Sequence, residues 1–115
     1  MILSGAVSDL SQAGTVWERR NEIQLIDVRE PHEFKAGAIE GATNITLGEL
    51  MAGGGYVYPD RPVVLVCKQG SRSEMAALML QARGYEAYNL TGGMEAWEEE
   101  GLPFNDSQGG AGRVA

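Results

Sequence analysis

The sequence predicts an α/β domain of three layers, a mostly parallel central sheet flanked by helices on both faces. Three observations lead there. Apolar β-branched runs, IQLIDV at 23–28 and PVVLV at 62–66, alternate with helical patterns along the chain. The second run is apolar at every position, as expected of a central strand covered on both sides. Helix punctuation falls between the runs, with Pro31 suited to a first helical turn and Gly84 to a helix end.

In chain order, Ile2 and Leu3 suggest a small edge strand. Leu10, Ala13 and Trp17 lie three and four apart and mark a helix face over 8–20, with Ser8 as its N-cap. The strand at 23–28 ends at Arg29-Glu-Pro31. A short helix over 31–36 follows, closed by Gly37. A short strand falls around Asn44–Ile45, and Thr46 caps the helix LGELMA. GGGYVYPD at 53–60 is a glycine-rich loop. The strand at 62–66 leads through a polar loop to a helix over 72–83. Met75, Leu78, Met79 and Ala82 are expected on its buried face, and Ser71 and Glu74 have capping-box spacing. EAYNL at 86–90 is a further strand. Gly92 and Gly93 allow a tight turn into a helix over 92–100, with Met94 and Trp97 in the core. Residues 1–104 are expected to form a single domain. Residues 105–115, NDSQGGAGRVA, have no apolar periodicity and are expected to be a disordered tail.

The chain has 115 residues, 43% hydrophobic and 22% charged, a globular composition. Its net charge of −7 argues against nucleic acid and anionic membrane as partners. One cysteine cannot form an internal disulfide, which fits a reducing compartment. A cytoplasmic, monomeric protein is expected. His32 and Cys67, each the sole residue of its type, make a structural zinc site untenable. No metal or cofactor is implied.

Cys67 stands where the strongest strand meets CKQGSRS (residues 67–73), which opens the strongest helix. In open α/β sheets, sites form beyond the carboxyl ends of the strands. A helix N-terminus carries unpaired N–H groups and about half a positive charge. A loop running into it aims several amides at one point. Gly70 permits the tight backbone, and Lys68 and Arg72 add charge. A thiol there has its pKa drawn down from about 8.5 and is nucleophilic without a histidine base. A core cysteine without chemistry would lie within the apolar run instead.

The loop resembles the C-x-x-G-x-R-S active-site loop of rhodanese-domain sulfurtransferases. DVREPHEF at 27–34, GATNI at 41–45 and GYEAYNLTGGMEAW at 84–97 resemble further segments of that family, in its order and over about residues 22–104. The resemblance implies that Cys67 carries sulfur as a persulfide. The sulfur comes from a small anionic donor such as thiosulfate and passes to cyanide, a thiol or an acceptor protein. It also implies that the amides of Lys68, Gln69, Gly70, Ser71 and Arg72 cradle the outer sulfur. Lys68 and Arg72 attract the donor, or Arg72 braces the loop. Ser71 and Ser73 offer hydroxyl hydrogen bonds to the loop or the persulfide. Asp27 and Arg29 are expected to support the site structurally, with Arg29 paired to Glu33 or Glu30; the functional reading has Asp27 orienting the loop and Arg29 guiding an anion. His32 is expected to be an exposed helix residue. Ala38 and Glu40 depart from the histidine and proline usual in the family's G-H-I-P-G-A turn. Two other readings use the same loop: a persulfide relay or regulatory module with little thiosulfate turnover, and a phosphatase or arsenate reductase. The second is disfavoured because four residues separate Cys67 from Arg72, one fewer than in phosphatase loops.

Overall fold

The computed structural model describes residues 9–115. The expected strand at Ile2 and Leu3 and the Ser8 cap lie outside these residues. Four strands, β1 (Gln24–Asp27), β2 (Thr43–Asn44), β3 (Val63–Val66) and β4 (Ala87–Asn89), form one sheet in the order β2-β1-β3-β4. Every neighbouring pair is parallel, with Ile26 opposite Thr43 and Leu65, and Leu65 opposite Asn89. Five helices complete the described chain: α1 (Ala13–Glu18), α2 (Pro31–Ala36), α3 (Leu47–Met51), α4 (Ser71–Ala82) and α5 (Gly93–Glu99).

Side chains alternate across a strand, so β3 feeds two cores. Val63 and Leu65 join Ile26, Leu50, Ala76, Ala77 and Leu80 on the face covered by α3 and α4. Val64 and Val66 join Leu25, Ala13, Val16, Met94 and Trp97 on the face covered by α1 and α5. The three-layer expectation holds, and Met94 and Trp97 are fully buried as expected. Thr46 caps α3, its hydroxyl accepting the Glu49 N–H while Glu49 returns to the Thr46 N–H.

Two expectations are corrected. The first concerns α4, which buries Ser73, Ala76, Ala77 and Leu80 and leaves Met75 and Leu78 exposed at 53% and 61%. Small side chains bring the helix close to the sheet; Met79 packs half-buried against the core as expected, while Met75, Leu78 and Ala82 face away. Apolar spacing alone does not distinguish these faces, because both recur at three and four residues. The second concerns residues 105–115, which are held in place. Ala38 and Asn105 exchange two backbone hydrogen bonds of 2.9 and 3.0 Å. Ser107 N–H donates to the Lys35 carbonyl, Arg113 N–H donates to the Ala36 carbonyl, and Val114 packs on the Trp97 side of the core. The segment is ordered mainly through its backbone, so its side chains carry no periodic signal. Gly37 is part of this contact. Its φ of 176° is ordinary extended backbone, but a Cβ there would stand 2.5 Å from the Arg113 carbonyl oxygen.

Ending the chain at Phe104 should therefore destabilise the domain by roughly 2–4 kcal/mol, from five backbone hydrogen bonds and the Val114 contact. Urea unfolding of the shortened and full chains checks this. Equal midpoints would mean that the segment contributes nothing.

Candidate functional site

Cys67 follows β3 directly and is 1% exposed. Its Sγ accepts the Gly70 N–H at 3.0 Å and the Ser73 N–H at 3.4 Å, and lies 3.2 Å from the Ser73 hydroxyl. These amides belong to the N-cap and the third residue of α4. The helix has no side-chain cap of its own. The expected Ser71–Glu74 capping box does not form, because the sulfur takes the place of the capping oxygen. Gly70 makes this possible with φ of 109°, the left-handed region open to glycine. Burial is the largest single influence on the thiol and pushes its pKa up. The Ser73 hydroxyl and the Ser73, Gly70 and Gln69 amides together outweigh burial and bring it below the ordinary value of 9.0.

The carbonyl side of the same loop is held by α5. Met94 N–H donates to the Cys67 carbonyl at 2.8 Å, and Glu95 N–H donates to the Lys68 carbonyl at 3.1 Å. Gly92 and Gly93 make the expected tight turn, with φ of 78° and 59°. The structure adds a second reason for Gly93: a Cβ there would overlap the Cys67 carbonyl oxygen and lie 2.7 Å from the Lys68 carbonyl carbon. Gln69 reaches α5 through its side chain, 3.3 Å from both Glu95 carboxylate oxygens.

Among the described residues, the charged groups around the loop form two pairs and leave Lys68 outside both. Asp27 and Arg29 are both fully buried and bond side by side, Nε to Oδ1 at 2.9 Å and Nη2 to Oδ2 at 2.7 Å. Arg29 also donates to the Gly37 carbonyl, and its Nη1 meets no acceptor among the described residues. The expected Arg29 partners, Glu33 and Glu30, are not its partners. Asp27 is two residues away on the same strand end, and Glu33 faces α4. There it receives the Arg72 guanidinium in a fork of 2.8 and 3.0 Å. Arg72 thus braces the loop against α2. Hydrogen bonding from Arg72, opposed by burial and aided by the Glu30 N–H, lowers the Glu33 pKa from 4.5 to about 2. Lys68 is half-buried and makes no ion pair among the described residues. Ser71 and His32 are exposed.

Two residues join the site only in the structure. Glu33, expected beside Arg29, instead holds Arg72. Asn89, at the end of β4, receives the Ser73 hydroxyl at 2.5 Å on Oδ1 and donates from Nδ2 to the Gly70 carbonyl at 3.1 Å. An asparagine ending a strand carries no signal by itself. Its place beside Cys67 comes from the pairing of β3 with β4.

The sulfur of Cys67 thus caps the helix that follows a central parallel strand, with the Gly70 and Ser73 amides converging on it. Residues 12–100 match the family model described as the Rhodanese-like domain, and the chain belongs to that family. It is 48% identical over 75 residues to the uncharacterized protein YqhL of Bacillus subtilis, covering 64% of this chain and 60% of that protein. It is 38% identical over 78 residues to the thiosulfate sulfurtransferase GlpE of Shewanella oneidensis, covering 67% of this chain and 77% of GlpE. Among solved structures, a rhodanese-related protein from Thermoplasma volcanium superposes with a TM-score of 0.77 at 31% identity, covering 81% of this chain and 93% of that one.

Two measurements test the construction of the site. Gly93→Ala should cost roughly 2–5 kcal/mol of stability from strain at positive φ and overlap with the loop; an unchanged urea midpoint would contradict the close approach. The lowered Glu33 pKa adds stability that is present above about pH 4.5 and is lost as pH falls towards about 2. Its size is on the order of 2 kcal/mol, reduced from the full shift because the Arg72 end is partly in water. Glu33→Gln should remove that part of the acid dependence, read from unfolding free energies across this range.

Proposed function

We propose that this protein is a sulfurtransferase that moves a sulfane sulfur through a persulfide on Cys67. The carrying observation is the placement of the Cys67 sulfur at the N-terminus of α4, where Gly70 and Ser73 donate to it. The amides of Ser71 and Arg72 in the same turn meet no acceptor among the described residues. A thiolate here attacks the outer sulfur of thiosulfate. The new bond is Cys67 Sγ–S, the broken bond is S–S in the donor, and sulfite leaves with the electron pair. The charge then rests on the outer persulfide sulfur, where the free amides of the first turn can receive it. Lys68, which makes no ion pair among the described residues, draws the anionic donor. A thiophilic acceptor such as cyanide takes the sulfur and regenerates the thiolate.

Arg72 is committed to Glu33, and the loop is one residue shorter than a phosphatase loop; both weigh against a phosphate or arsenate substrate. A second reading, sulfur relay between proteins with little thiosulfate turnover, is favoured by one feature. Met75 and Leu78 expose apolar surface on α4 close beyond the loop, suited to a protein partner.

Thiocyanate formation from thiosulfate and cyanide, with intact-mass analysis, tests the proposal. Wild type should turn over and gain the mass of one sulfur, and Cys67→Ser should do neither. Mass gain without turnover would favour the relay. Neither signal from folded, reduced protein would overturn sulfur transfer.

A further inference from the structure

The Ser73 hydroxyl has one proton and two claimants. Asn89 Oδ1 lies 2.5 Å from Ser73 Oγ, and Cys67 Sγ lies 3.2 Å from it. The Asn89 carboxamide is oriented by its other end, since Nδ2 donates to the Gly70 carbonyl at 3.1 Å. The Ser73 hydroxyl can donate to either, and only a donation to the sulfur lowers the thiol pKa. Oδ1 can only accept, so while Cys67 is a thiol the shorter contact holds the Ser73 proton towards Asn89 and turns a Ser73 lone pair towards the sulfur. The arrangement is fully matched when Cys67 is a thiol: S–H donates to Ser73, Ser73 to Asn89, Asn89 to the Gly70 carbonyl, and Gly70 N–H back to the sulfur.

Ionisation removes the sulfur's proton and creates a mismatch. If the Ser73 proton swings to the thiolate, two oxygen lone pairs face each other across the Ser73–Asn89 contact. If the Asn89 carboxamide turns over to repair that contact, its oxygen is set against the Gly70 carbonyl. Either way one link of the ring is lost. Persulfide formation moves the charge to the outer sulfur, and the proton can return to Asn89.

We propose that Asn89 is a positioning residue that competes with Cys67 for the Ser73 proton, leaving the free thiolate as the one mismatched state of the site. The sulfur-transfer reading enters only in the persulfide step. The competition itself concerns the resting thiol and is measured without any sulfur donor, so the two ideas fail separately.

Ultraviolet absorbance of the thiolate against pH gives the Cys67 pKa without interference from other thiols, with Cys67→Ser subtracted. Asn89→Ala should lower this pKa by about one pH unit, because the Ser73 proton becomes free to face the sulfur. In a Ser73→Ala background the same substitution should shift nothing. The surrounding charges are common to each comparison: Lys68, Arg72 with Glu33 of α2, the Asp27–Arg29 pair after β1, and Glu95 of α5. A raised or unchanged pKa in Asn89→Ala, or an equal shift with and without Ser73, would overturn the proposal. If Asn89→Ala does not fold, the wild-type protein supplies the test through its Asn89 side-chain amide resonances. They should move with the Cys67 midpoint and stay fixed in Cys67→Ser; resonances that ignore the midpoint would overturn it.

Discussion

The capping of α4 by the sulfur of Cys67 is the contact on which the rest of the site depends. An uncapped helix start leaves buried amides unsatisfied, and a buried thiolate without donors is costly. Each solves the other's difficulty here. The constraint runs outward from that contact. Gly70 must be left-handed, Ser73 must be small enough to lie against the sulfur, and the loop carbonyls must find donors elsewhere. Met94 and Glu95 supply those donors from α5. The sulfur is fixed by one helix and the carbonyl of the same residue by another.

The two ion pairs extend this frame rather than line it. Asp27 and Arg29 are wholly buried, and such pairs add little net stability over an apolar replacement. Their effect is geometric. Arg29 ties the end of β1 to the Gly37 carbonyl, and Gly37 is where residues 105–115 close over the fold. Asn44 crosses from β2 to the Asp27 and Arg29 carbonyls. Glu33 and Arg72 then join α2 to the first turn of α4. The segment DVREPHEF thus reaches the cysteine loop through a chain of backbone and carboxylate contacts without touching the sulfur.

α4 has to approach the sheet closely for this frame to close, and its composition follows. Ser73, Ala76 and Ala77 face the sheet, and Leu80 fills the space further along. The helix shows Met75 and Leu78 to solvent, while Met79 packs on the core.

The sequence by itself determined the alternation of strands and helices, the parallel sheet, and the placing of Cys67 between β3 and a helix start. It also made the family legible in four ordered segments. These are local properties: β-branched runs, turn glycines, a proline in a first helical turn and one thiol at a chain-local boundary. Which face of α4 is buried, which carboxylate Arg29 and Arg72 each choose, why Gly37 and Gly93 have no side chain, and that Asn89 stands beside Ser73 were decided only in three dimensions. Each depends on what strand pairing and chain return bring alongside a residue distant in sequence. Asn89 lies 16 residues from Ser73 and Glu33 lies 39 from Arg72. No periodicity within one segment encodes the partner that the sheet order places next to it.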